Sequence, residues 1–186
     1  MLFNLPKSDK NAKLGMPKYR LYVALWTDVD VENWPVAVNA TISSSVLKED
    51  KKYTYLDVRA TSIKPNTTPG ESPYNGKLIL TPIIEGISKE SLKWIYDNSG
   101  EDCVVVWERC SDAQKFIGGS PCSSGLQLKY TAIGPQDGGI DGIAISFEGG
   151  ECPEPFYFYD GPVPVEEDPI PTPPPSLVSK KTTTNA

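Results

Sequence analysis

Residues 134–153 read GPQDGGIDGIAISFEGGECP, a single strand pattern held between two pairs of adjacent glycines. Ile143, Ile145 and Phe147 alternate with Ala144, Ser146 and Glu148. That period of two turns one face of a strand inward and the other outward. Six glycines frame the segment: Gly134, Gly138, Gly139, Gly142, Gly149 and Gly150. Glycine loops cradle phosphates, but that use needs G-x-G-x-x-G opening a helix directly after a strand. Here Gly138, Gly139 and Gly142 lead into a strand, so no helix N-terminus is at hand for an anion. Tight turns and close backbone approach are the uses of glycine that fit.

Working outward, similar patterns recur. Residues 18–30, KYRLYVALWTDVD, are rich in Tyr, Val, Leu and Trp and read as a strand. Residues 36–43, VAVNATIS, and 53–63, YTYLDVRATSI, both alternate, the latter with Leu56, Val58 and Ala60 opposite Asp57, Arg59 and Thr61. The polar run KEDKK at 48–52 marks an exposed loop, and KPNTTPGESPYNG at 64–76 reads as a long one of the functional or interface kind. KLILTPIIEG at 77–86 is a strand with a break or bulge expected at Pro82. The four consecutive apolar residues Val104 to Trp107 put apolar side chains on both faces, as in a strand covered on both sides. SDAQKFIGGSPCSSG at 111–125 reads as a turn-rich connection. LQLKYTAIG at 126–134 alternates, with Leu126, Leu128, Tyr130 and Ala132 on one face, and PFYFYDG at 155–161 reads as a short edge strand.

Only SKESLKWIYDNSG, residues 88–100, has helical character. Ser88 and Ser91 are possible N-caps, Leu92, Ile95 and Tyr96 form the predicted stripe, and Asn98 to Gly100 supply the stop. Seven or eight strands with one helix predict a mainly β fold, an antiparallel β-sandwich or barrel with one flanking α-helix and extended arms. The predicted organisation is an N-terminal arm at 1–17, a β-domain at 18–162 and a proline-rich, flexible tail at 163–186. In that tail PVPVEEDPIPTPPP has seven prolines in fourteen residues, which favours polyproline II over a packed core.

The chain has 186 residues, 24 acidic and 18 basic side chains, no histidine and a net charge of −6. Acidity argues against a nucleic-acid binder that works by displacing counterions. Without histidine, Ser-His-Asp and Cys-His catalysis are excluded. Cys103, Cys110, Cys122 and Cys152 lack metal-ligand spacing and are expected as reduced thiols buried in strands or loops. No apolar run reaches a membrane-spanning length or resembles a secretory signal, so folding in a cytoplasm is expected.

Two constellations remain to be weighed. Glu148 and Glu151 flank Gly149-Gly150, and Glu101-Asp102 precede Cys103, so a carboxylate pair of the glycosidase type is one reading. Trp26, Trp34, Trp94, Trp107 and the run Phe156-Tyr157-Phe158-Tyr159 supply rings for a sugar-stacking platform, or for a β core. Near carboxylates are expected by chance in so acidic a chain, and strands favour aromatics anyway. No catalytic, cofactor-binding or metal-ligating residue is nominated, and no enzyme activity is expected.

The order strand 77–86, helix 88–100, strand 101–110, strand 126–134, Gly-Asp turn and GIAISFEGGE resembles phage tail tube (major tail) proteins. The resemblance spans residues 77–150, with Gly134 to Gly138 as the turn and residues 143–150 as the closing strand. It implies a structural virion protein whose copies form hexameric rings, the rings stacking into a tail tube through the arms and the 64–76 loop. DNA would pass down the lumen without specific binding, eased by an acidic lining. Implied partners are further copies of the chain and other tail proteins, such as a tail terminator, tape measure or baseplate, with no membrane and assembly in a bacterial cytoplasm. The alternatives are a head–tail connector or capsid decoration protein, a carbohydrate-binding or adhesin module using Trp34 or Tyr157, and a hydrolase using Glu148 or Glu151.

Overall fold

The computed structural model describes residues 2–5, 19–59, 62–72, 74–109, 113–136 and 140–166. In chain order the elements are β1 (Tyr19–Leu25), β2 (Thr41–Ile42), β3 (Thr54–Val58), β4 (Pro65–Pro69), β5 (Gly76–Leu80) and β6 (Ile83–Glu85). Then follow α1 (Lys89–Asn98), β7 (Asp102–Glu108), β8 (Lys115–Gly118), β9 (Leu126–Gln136), β10 (Ile140–Gly149) and β11 (Phe156–Tyr159). The fold is mainly β, a curled mixed sheet that forms a half-barrel and carries one helix. Its strands run β2-β11-β8-β7-β9-β10-β5-β4, with β1 bridging β3 and β7 and β6 beside β10. Among the described strands only β11 and β2 pair in parallel.

β7 organises the interior. Its side chains alternate into two cores, Cys103, Val105 and Trp107 into one and Val104 and Val106 into the other. The first core fills the half-barrel with Leu21, Leu56, Leu128, Ile145 and Phe147 and takes Trp94 and Ile95 from the helix. The second is closed by Val29, Val46, Leu47 and Tyr53, from the stretch that links β1 to β3, and by Tyr159 of β11. Continuous hydrophobicity in β7 therefore has the cause expected of it, cover on both faces.

The helix begins where the sequence places it. The Ser88 hydroxyl accepts from the Ser91 amide at 3.0 Å, and Ser91 returns the bond by accepting from the Ser88 amide at 2.9 Å. Its buried stripe is Ser91, Trp94, Ile95 and Asn98, while Tyr96 is 61% exposed, so the stripe is rotated from the predicted Leu92–Ile95–Tyr96 line. The indole of Trp94 takes the centre and donates to the Phe3 carbonyl at 3.0 Å.

Several strand expectations need correction. Of residues 36–43 only Thr41 and Ile42 are strand, because Asn39 and Ala40 have φ of 51° and 59° and reverse the chain between Val38 and Thr41. Val36 is left 87% exposed. The predicted 64–76 loop contains β4, hydrogen-bonded to β5 as a hairpin, and the 111–125 connection contains β8. β9 runs on through Gly134, Pro135 and Gln136, which were expected to turn, and residues 137–139 lie outside the described set. Pro82 does separate two strands, β5 and β6. Asp57, expected on an outer face of β3, is buried beside Arg20, whose Nε donates to it at 2.8 Å.

Residue Thr131 is a bulge. Ala132 pairs with Ala144 and Tyr130 with Ile145, so the register shifts by one between them. The extra residue puts Ile133, not Ala132, on the face shared by Leu128 and Tyr130. Inward positions on β10 match the sequence reading, with Ile143, Ile145 and Phe147 fully buried. The framing glycines find their reason at Gly142, where a Cβ would stand 2.7 Å from the backbone oxygen of Ile84 on β6.

Of the predicted arm at 1–17, residues 2–5 are described, and they are docked: Leu5 is buried and bridges Leu56 in parallel. At the other end Val165 bridges Tyr53, and the rest of the predicted tail, 167–186, lies outside the described residues. Among the described residues no helix is long and apolar enough to cross a membrane.

Candidate binding groove

β8 and β11 pair antiparallel, Phe156 opposite Gly118 and Phe158 opposite Phe116. Alternation then sends Phe156, Phe158 and Phe116 to one face of the sheet, beside Trp107 of β7, while Tyr157 and Tyr159 turn toward the second core. The indole of Trp107 stacks on Phe116 with centroids 5.7 Å apart and planes 19° from parallel. Phe116 meets Phe156 edge-on at 5.9 Å and Phe158 at 5.1 Å, so one ring sits at the hub of four.

These rings line an open groove of 770 Å³ together with Ile63 and Lys64, just before β4, and Pro65 at its start. Glu108 and Arg109 complete the rim, and the Arg109 guanidinium lies over the Phe116 ring at 5.6 Å. Trp107 and Phe116 are buried, whereas Phe158 is 40% exposed. A volume of this size with four rings in its lining falls within the range of ligand-binding clefts. Gly118 makes room beneath it: a side chain there would collide with Leu78 and crowd Leu126 and Trp107.

The aromatic residues singled out in the sequence are thus divided. Trp107, Phe156 and Phe158 converge in the groove; Trp94 is core, and Trp26 and Trp34 pack against the second core. Tyr157 donates to Glu154 at 2.7 Å, and its phenol is pushed up by burial and by that carboxylate. Sequence reasoning missed Phe116, hidden in a segment read as turns. Its signal was the apolar pair Phe116-Ile117 before Gly118-Gly119, short but strand-like.

Each of the two glutamates, Glu148 and Glu151, is held by partners of its own. Glu148 accepts from Lys129 at 2.9 Å and from Ser146 at 3.0 Å, and the lysine bond holds its carboxyl below the ordinary value against partial burial. A general acid needs the opposite direction. Glu151 accepts from the Glu71 amide at 3.0 Å and is engaged by Lys77 at 3.5 Å. Glu101 and Asp102 are exposed at the start of β7.

Among the described cysteines, Cys103 and Cys152 are buried free thiols, while Cys122 is exposed, against expectation, on a 3-10 turn; Cys110 lies outside the described residues. Burial pushes the Cys103 thiol up to about 12 and that of Cys152 to about 11. No described group of His, Cys, Asp and Glu is arranged to hold a metal.

No protein-family model, no curated protein and no solved structure matches the chain.

Proposed function

We propose that the chain is a structural subunit of a phage tail tube, whose copies join into rings and stack into a conduit for DNA. The observation that supports this reading is the open edge of β9. Its ladder with the β7 side ends at Leu128, which exchanges bonds with Gly100 and Glu101; from Lys129 to Gln136 no strand lies on that side among the described residues. Residues 129–133 are all exposed, Tyr130 at 48% and Ile133 at 39%. An exposed strand edge bearing apolar side chains is a template for another strand.

A second open edge, β4, ends the sheet order and is exposed over most of its length. Two unlike edges suit a head-to-tail contact, which closes into a ring when the rotation is right. The net charge of −6 suits a lumen that phosphates slide past. Head–tail connectors and decoration proteins share the first of these arguments; uniform stacking separates them from a tube.

The test is negative-stain electron microscopy of the concentrated protein near neutral pH, beside the variant Ile133→Lys. Hollow tubes or rings from the parent chain, lost in a variant with unchanged melting temperature, are the expected result. A monomer at every concentration, or rings indifferent to charge on the β9 edge, would overturn the reading.

A further inference from the structure

The aromatic groove and the proline-rich end of the chain have matching chemistry. The described chain ends at Glu166, anchored by its amide to the Tyr53 carbonyl at 3.0 Å. Twenty residues follow, EDPIPTPPPSLVSKKTTTNA, and within them residues 169–175 hold five prolines in seven. Such a run favours the polyproline II conformation, which pays little entropy on docking and is recognised by grooves lined with aromatic rings.

We propose that residues 169–175 of this chain seat in the groove floored by Trp107, Phe116, Phe156 and Phe158. Rings and prolines supply the apolar contact. The rim is net basic, Lys64 and Arg109 against the one carboxylate of Glu108, and Glu167 and Asp168 lead into the proline run. Among the described residues the groove is lined by aromatic and aliphatic side chains and by Lys64, Glu108 and Arg109, with no amide or hydroxyl, a lining that suits proline rings.

Reach decides which copy supplies the segment. Tyr53 lies five positions along β3 from Val58 and three strand spacings from β8, about 22 Å in the plane of the sheet. Residues 169–175 follow Glu166 by three to nine positions, about 9–28 Å in polyproline II, and Glu166 is anchored on the second-core side of the sheet, opposite the groove. That span is too short to round the sheet edge, so the segment seats in the groove of a neighbouring copy; the inference needs a second copy but not a closed ring.

The test places the photoreactive residue p-benzoylphenylalanine at position 158 of the full chain, where the native ring is 40% exposed and its replacement spares the core. Mapped by mass spectrometry, the cross-links are expected to join position 158 to residues 167–178. They should fall to background in the same chain carrying P171S, P173S and P174S, with an unchanged circular dichroism spectrum. When isotope-labelled and unlabelled protein are mixed, cross-links that join one label to the other are expected; cross-links confined to one copy would overturn the docking. Cross-links to strand residues of a second copy, no cross-link at all, or cross-links that survive the proline substitutions would overturn it.

Discussion

The two halves of β9 carry the same kind of sequence and meet opposite fates. Leu126 and Leu128, in the first half, are fully buried against β10 and the first core. Tyr130 and Ile133, in the second, lie on the same face and pair with Ile145 and Ile143, yet they remain 48% and 39% exposed. The difference lies in the neighbours. The first half has β7 on its other edge; beyond Leu128, among the described residues, the helix alone lies beside that edge, where Tyr96 meets Tyr130 edge-on at 6.3 Å. Alternation therefore encodes that a segment is a strand with an apolar face, and topology decides whether this chain covers that face.

The sharpest way to break the comparison is to truncate one residue in each half. Leu128→Ala removes a side chain from a closed core and is expected to cost about 2–5 kcal/mol. Tyr130→Ala, on the same face two residues later, is expected to cost no more than about 1 kcal/mol, the scale of one exposed aromatic pair. Urea unfolding of the two variants measures both. Equal losses would mean that the distal half is as tightly covered as the proximal one.

That same contrast explains what was legible. Period-two patterns located β3, β9 and β10, composition located β1, and the Ser88 cap located the helix, because in each case the signal is local: alternation, residue type, or one hydroxyl beside one amide. β4 and β8 escaped because they are short and are defined by a partner, and the strand read at 36–43 shrank to the two residues of β2. β4, with its prolines at both ends, has no apolar face at all and is a strand only because β5 hydrogen-bonds it. The bulge at Thr131 was illegible for the same reason, since the residue that slips is set by the opposite strand. In the groove, Trp107 and the Phe156–Tyr159 run were visible as aromatics. Their convergence on Phe116 depends on the β8–β11 pairing, a long-range event without a local signature.

A second test concerns β10, which is packed on its far side even where β9 is open. Gly142 sits under the Ile84 carbonyl where β6 joins the sheet. Gly142→Ala forces that backbone apart and is expected to cost about 1–3 kcal/mol, like other overpacked sites. The measurement is thermal unfolding. A neutral outcome would show that β6 yields easily, and that the whole distal end of the hairpin, and not only its β9 edge, is loosely held.

The smallest expected effect lies at the border between the two halves, where Lys129 meets Glu148 at 2.9 Å across the β9–β10 ladder. The lysine bond depresses the Glu148 carboxyl below its ordinary 4.5, with Ser146 assisting and partial burial opposing. A carboxylate whose pKa is lower folded than unfolded stabilises the fold above its ordinary pKa, and that contribution is lost as pH falls through the folded value. Both side chains are partly exposed, at 46% and 38%, so solvent screening keeps the pair to about 0–1 kcal/mol. Lys129→Met should accordingly lower stability slightly at neutral pH, and the gap from the parent chain should close as the solution is acidified below the ordinary glutamate range. Salt should narrow the gap in the same way. A gap that persists in acid would assign the loss to the lysine stem packing on the ladder rather than to its charge, moving the border of the well-covered half one residue further along β9.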